Sequence, residues 1–133
     1  MNDLTDKELV QKAIESQKYS YSPYSKYKVG AALLCKDGKI FTGTNIENAS
    51  YPCGLCAERV AMSKAISEGN TNFVKIAIAG SSKEICTPCG LCRQFMAEFS
   101  SSLKVLCANV EGKYKEKKLS SILPSNFESS SLK

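Results

Sequence analysis

Two short cysteine runs constrain this chain more than any other feature. One reads Cys53-Gly54-Leu55-Cys56-Ala57-Glu58-Arg59 and the other Pro88-Cys89-Gly90-Leu91-Cys92-Arg93. Each stands where a helix is expected to open, so a fold in which they share an ion must bring two helix N-termini together from separate parts of the chain. Cys89 and Cys92 are three apart, and on a first helical turn that spacing puts both sulfurs on one side. Seven cysteines are an odd number, and five of them crowd into the stretch from Cys53 to Cys92. That pattern fits thiolates kept for metal in a reducing compartment better than a disulfide framework. Cys35 and Cys107 stand alone in apolar runs and are expected to be packing residues.

The ligand count is ambiguous from spacing. If Cys53 and Cys56 both bind, two C-x-x-C pairs close a four-cysteine structural zinc site; if only Cys56 binds, the fourth position is open. Glu58 lies two residues after Cys56, and two such residues approach one ion only off the open end of a helix, where backbone N–H groups are free. Water at an open zinc position has a pKa near about 7, and a neighbouring carboxylate can move its proton. Glu58 also reads simply as a charge favouring a helix N-terminus. Three thiolates leave a zinc site with a net charge of about minus one, which Arg59 or Arg93 against the sulfurs would offset, though each also reads as a surface residue. The C-x-x-C pairs 53/56, 86/89 and 89/92 raise redox chemistry as a third reading, but a thioredoxin-like site needs no glutamate beside it.

A chain of 133 residues with 43% hydrophobic content suits one domain spanning residues 1–133. There is no run of about 18 apolar residues, and the start, Met1-Asn2-Asp3, is polar, so a soluble, cytoplasmic protein with no membrane partner is expected. The net charge of +5 permits an anionic partner without demanding one. The densest basic group, Lys113 to Lys118, is broken by Glu116 and reads as a solvated face, so nucleic acid is not an expected partner.

The remaining pattern orders the elements. Thr5-Asp6-Lys7-Glu8 has the form of a capping box ahead of a stripe of Leu9, Val10, Ala13 and Ile14, predicting a first helix within residues 4–19. Val29 to Cys35 and Ile40 to Thr44 flank Asp37-Gly38, a hairpin. A second helix runs from near Cys56 to Ser67 with Gly69 as its stop. Phe73 to Gly80 is a strand covered on both faces. Pro88 leads into a third helix bearing Leu91, Phe95, Met96 and Phe99. Leu103 to Ala108 is a buried strand, Tyr114 to Leu119 a charged edge strand, and Leu119 to Leu123 one helical turn before a Ser-rich tail. Crossovers through the second and third helices predict a mixed sheet with helices on both faces and functional groups gathered at one of its ends.

With Cys56-Ala57-Glu58 followed by Pro88-Cys89-Gly90-Leu91-Cys92, the chain resembles the zinc-dependent nucleoside and nucleobase deaminases, whose signature pairs a ligand-x-Glu motif with P-C-x-x-C. Within that class it is similar to the small homotetrameric cytidine deaminases, through Ser22-Pro23-Tyr24-Ser25, Val29 to Leu33, Gly43 to Tyr51, Cys56 to Arg59, Ala65 to Gly69 and Ile122-Leu123-Pro124. The resemblance covers nearly the whole chain. It implies a three-layer α/β/α sandwich around a five-stranded mixed sheet, one zinc ion per subunit on Cys56, Cys89 and Cys92, and Glu58 as the proton shuttle. It further implies that Asn45 and Glu47 meet the ribose, that Ala57 meets the base through its backbone, and that Tyr27 and Tyr51 line the substrate site. Arg59 would support the thiolates. The family commonly has phenylalanine where this chain has Tyr27. Phe127 matches a C-terminal aromatic that reaches a neighbouring subunit's pocket, so the tail from about residue 124 would dock on a second copy. Cys53 is not a ligand in this reading.

The implied activity is hydrolytic deamination of cytidine and 2′-deoxycytidine in pyrimidine salvage. The rivals are a deaminase of another cytosine-containing substrate, nucleic acid or a nucleoside antibiotic, and a non-enzymatic four-cysteine zinc-ribbon module. Without the resemblance, Asn45 and Glu47 read as turn formers in a polar loop, and Tyr24, Tyr51 and Phe127 as core or interface filling.

Overall fold

A capping box opens the first helix: Glu8 N–H donates to Thr5 Oγ1 (3.1 Å) and Thr5 N–H to Glu8 Oε1 (2.9 Å). The computed structural model describes residues 5–125 and Phe127. The elements are α1 (Asp6–Ser16), β1 (Val29–Cys35), β2 (Ile40–Thr44), α2 (Ala57–Ser67), β3 (Phe73–Gly80), α3 (Gly90–Phe99), β4 (Lys104–Ala108), β5 (Tyr114–Lys118) and α4 (Leu119–Ile122). A short 3₁₀ turn (Gln17–Tyr19) follows α1, and another (Tyr51–Cys53) precedes α2. Gly38, at φ 91°, takes the left-handed backbone of the β1–β2 turn, where a side chain would be strained.

The five strands form one sheet in the order β2-β1-β3-β4-β5. β1 is antiparallel to both β2 and β3, β3 is parallel to β4, and β5 closes the far edge antiparallel. The mixed sheet is as expected, with one refinement. The crossover through α2 joins β2 to β3, which do not pair, because β1 is inserted between them; β3 and β4 form the parallel pair.

Side-chain size alternates along the central strands and sorts the layers. Ala31, Leu33, Cys35, Ile76, Ile78, Val105 and Cys107 face a core shared with Ala61, Met62 and Ala65 of α2 and Met96 and Ala97 of α3. The opposite face carries Ala32, Ala77, Ala79, Leu106 and Ala108, and among the described residues only α1 lies on it, through Leu9, Val10 and Ala13. Alanines on that face let a single helix approach closely, and the result is the expected three-layer α/β/α arrangement. Cys35 and Cys107 are buried in the larger core, as expected of packing residues.

This topology also positions the site. Since β2 and β3 run the same way, their C-terminal ends at Thr44 and Gly80 lie together beside the start of β1, where Gly30 pairs with Thr44 and Val29 with Gly80. The chain goes on from those two ends towards the N-termini of α2 and α3. Gly43 sets how closely α2 seats on β2: a Cβ there would lie 2.5 Å from both Ala57 O and Ala61 N, so only glycine allows the approach.

Candidate functional site

Cys56 and Cys89 are the N-cap residues of α2 and α3, and neither side chain caps its helix. Both sulfurs are thereby left to face each other, at 3.9 Å. Cys92, one turn into α3, completes a cluster whose three sulfurs all lie within 4.8 Å of one another. Zinc–sulfur bonds of about 2.3 Å in tetrahedral geometry put sulfurs about 3.8 Å apart, so the spacing suits that ion. Among the described residues no fourth cysteine joins the cluster. Cys53 is exposed in the preceding 3₁₀ turn.

Charge makes the same point. A hydrogen bond from the Cys92 thiol outweighs burial and, with Arg59 and Cys89, holds the Cys56 thiol down to about 5. The ionised Cys56 sulfur, burial and Glu58 together push Cys92 far up. Unaided, Cys56 carries the negative charge while Cys92 keeps its proton, and a bound dication is what would let both ionise. The two helix N-termini point their free N–H groups at the same place and add positive potential.

Glu58 is 4% exposed in the first turn of α2. Burial, with the Cys56 charge beside it, raises its carboxyl to about 7 despite the opposing pull of backbone N–H, Cys92 and Arg59. A carboxyl poised there exchanges protons near neutral pH. Arg59 lies beside the Cys56 and Cys92 sulfurs, and its Nη2 donates to Gly54 O (3.4 Å). Its Nε is buried with no hydrogen-bond partner among the described residues. Arg93 is engaged elsewhere. Its Nε donates to Pro88 O and its Nη1 to Ile122 O, both at 2.8 Å, tying α3 to α4 instead.

The cluster opens into a cavity of about 670 Å³ lined by Tyr27, Asn45, Glu47, Tyr51, Cys56, Ala57, Glu58, Arg59 and Cys89, among others. That volume falls within the range of small-molecule sites. Asn45 and Glu47 follow the end of β2, and both already have partners. Asn45 Oδ1 accepts from Val29 N–H (3.0 Å) and the Ser20 hydroxyl, while its Nδ2 donates to Tyr27 O (2.8 Å). Glu47 Oε1 accepts from Tyr24 N–H (2.9 Å) and Ser25 N–H (3.1 Å), and the Ser25 hydroxyl donates to Oε2. The Ser25 hydroxyl is also the chief reason the Glu47 carboxyl sits below its ordinary range. These residues strap the aromatic loop after α1 to the end of β2, and Glu47 remains an ionised acceptor at the pocket wall.

Tyr51 is 81% exposed on the rim. Phe127 is not among the lining residues; it is exposed, and its carbonyl accepts from Gln94 Nε2 (2.6 Å). The Ser-rich tail beyond it lies outside the described residues. Sequence reasoning missed Ser25 and Cys86 as wall residues. The position of Cys86 within a C-x-x-C with Cys89 was the available signal for the latter, whereas the partnership of Ser25 with Glu47 spans more than twenty residues and left none.

The profile of the cytidine and deoxycytidylate deaminase zinc-binding region matches residues 4–108. The chain is 47% identical over 120 residues to a cytidine deaminase of Halalkalibacterium halodurans, covering 90% of this chain and 91% of that one. It is 42% identical over 128 residues to a probable cytidine deaminase of Dictyostelium discoideum, covering 96% and 86%. Its fold superposes on the crystal structure of the Burkholderia pseudomallei cytidine deaminase with a TM-score of 0.90 at 39% identity, over 93% of this chain and all of that one. With a zinc-binding deaminase profile over most of its length and relatives matched nearly end to end, the chain belongs to the cytidine and deoxycytidylate deaminase family.

Proposed function

We propose that this protein deaminates cytidine and 2′-deoxycytidine hydrolytically to uridine and 2′-deoxyuridine in pyrimidine salvage, with one zinc ion per subunit held by Cys56, Cys89 and Cys92. The observation that carries the reading is the convergence of three sulfurs, with no fourth among the described residues, beside the buried carboxyl of Glu58 in a nucleoside-sized pocket. When bound, zinc supplies Lewis-acid activation of a water molecule at neutral pH.

The chain's own residues do the rest. Glu58 takes one proton from the attacking water and delivers it to the ring N3, then takes the second from the hydroxyl newly added at C4 and delivers it to the departing amino group, so that cytidine and water become uridine and ammonia. Its raised pKa suits both halves of that transfer. Ala57, buried at the start of α2 where the helix N–H groups have no intrahelical partner, offers its backbone to the base from the pocket wall. Glu47 accepts from a ribose hydroxyl with lone pairs left over from the Ser25 and Tyr24 bonds, and Asn45 holds that edge in place. Tyr27 and Tyr51 are aromatic surfaces for the pyrimidine and the pocket mouth. Arg59 offsets the thiolate charge so that the ion keeps its pull on water.

A free nucleoside is favoured over a polynucleotide because the pocket wall offers Asn45 and Glu47 while the basic residues form no stripe along it. No helix among the described residues is long and apolar enough to cross a membrane. As a separate part of the proposal, the enzyme is a single-domain cytoplasmic homotetramer with shared active sites. Glu58→Gln tests the mechanism. The variant keeps its zinc and loses about 10²–10⁴-fold in kcat, read from the absorbance change of cytidine. Undiminished turnover would end the proposal. Comparing cytidine with cytosine-containing single-stranded DNA separates the nucleoside reading from its polynucleotide rival.

A further inference from the structure

Tyr27 lines the pocket, and its hydroxyl has a seat in this fold. The oxygen rests against Gly80, the last residue of β3. A Cβ built on Gly80 would overlap the Tyr27 hydroxyl, lie 2.6 Å from Tyr27 Cζ and lie 3.2 Å from Cys86 Cβ. The Cys86 thiol and the Ser82 hydroxyl are its hydrogen-bonding neighbours, and burial, ahead of the Cys86 contact, raises the phenol to about 12, so it stays a neutral donor.

The backbone around the ring is tied on several sides. Lys26 adopts a left-handed conformation (φ 63°) just before it. Tyr27 N–H donates to Ser25 Oγ (3.0 Å), Tyr27 O accepts from Asn45 Nδ2 (2.8 Å), and Lys28 N–H donates to Ser81 Oγ (2.8 Å). A ring held this way cannot retreat by sliding its backbone. Whatever fills the notch drives the ring into the pocket it lines.

We propose that Gly80 is a positioning residue for substrate binding: the notch left by its missing side chain, walled by Cys86 and Ser82, takes up the Tyr27 hydroxyl and so keeps the aromatic wall of the pocket flat. This rests on the cytidine reading for its kinetic consequence, but the notch itself does not. A phenylalanine at position 27 would remove the overlap with the hydroxyl and leave only the 2.6 Å approach at Cζ to be relieved, so alanine at position 80 would cost less beside it. The two positions are therefore expected to be coupled.

The test is a double-mutant cycle of wild type, Gly80→Ala, Tyr27→Phe and the combined variant, with zinc content, cytidine kinetics and melting temperature measured on each. Gly80→Ala is expected to keep full zinc, raise KM by about tenfold or more and change kcat by less than about threefold. Alanine at position 80 should raise KM and lower the melting temperature clearly less beside Tyr27→Phe than beside the wild-type tyrosine, because only the Cζ contact then remains to be relieved. An unchanged KM in Gly80→Ala, or an equal penalty with and without the tyrosine hydroxyl, would overturn the proposal. If Gly80→Ala alone fails to fold, a folded combined variant supports the notch and an unfolded one refutes it. If wild type does not turn over cytidine, the functional reading fails and the melting-temperature cycle still decides the notch.

Discussion

Glu58 is a carboxyl kept almost dry, and its environment makes a thermodynamic demand as well as a chemical one. Its folded pKa of about 7 lies above its ordinary value of 4.5, chiefly through burial. The native state therefore binds the proton more tightly than the unfolded chain does. Below pH 4.5 the group is protonated in both states and costs nothing; as pH rises through 4.5 to about 7, ionisation weakens the fold. Glu58→Gln removes that cost, so its melting temperature relative to wild type should climb between pH 4.5 and pH 8, even as turnover is lost. Calorimetry at the two pH values checks the sign, and a gap that shrinks with rising pH would mean the carboxyl is not held in the environment described. Such a sacrifice of stability is what the proposed proton-carrying role of Glu58 would require.

Among the elements, α1 has the least room. It packs on a face made of Ala32, Ala77, Ala79 and Ala108 with Leu106, all fully buried. Ala77→Leu has nowhere to put its added carbons and is expected to destabilise the protein by about 1–3 kcal/mol in denaturant unfolding, while the enlarged side chain stays on the layer away from the cysteine cluster and leaves zinc binding intact. A neutral result would mean that α1 is loosely seated. The elements themselves were legible in the sequence because their signals are local. The Thr5/Glu8 capping box, the Asp37-Gly38 turn and the apolar run at Phe73 to Gly80 each declare themselves within a few residues. The candidate cluster was legible too, since cysteines at helix openings carry their own spacing rule. What could not be read depends on contacts between distant segments. The insertion of β1 between β2 and β3 is one case, the diversion of Arg93 from the sulfurs to Pro88 and Ile122 is a second, and the Ser25 clasp on Glu47 is a third. Composition and periodicity say which residues are polar or buried, not which partner a polar group will find.

At the scale of the whole molecule, the pocket mouth is unusually aromatic for a surface meant to face water. Tyr24, Tyr51 and Leu55 are exposed at the pocket, and Phe127 is exposed beside α3 through its Gln94 contact. A shared active site, in which one subunit's tail covers another's pocket, would account for them. If the proposed homotetramer forms, light scattering gives a mass of four copies of the 14.5 kDa chain. Phe127→Ala should raise KM for cytidine more than it lowers kcat. A monomer of full activity would contradict that assembly while leaving the chemistry of the single site untouched.

The central claim is an open, three-sulfur zinc position serving a proton-carrying glutamate, and metal analysis paired with cytidine turnover on the same preparations tests it most directly. Wild type and Cys53→Ser are expected to carry one zinc per chain and to consume cytidine at comparable rates, and Cys89→Ser to lose both metal and turnover. Loss of zinc from Cys53→Ser, or a fully loaded wild type with no effect on cytidine, would contradict the account.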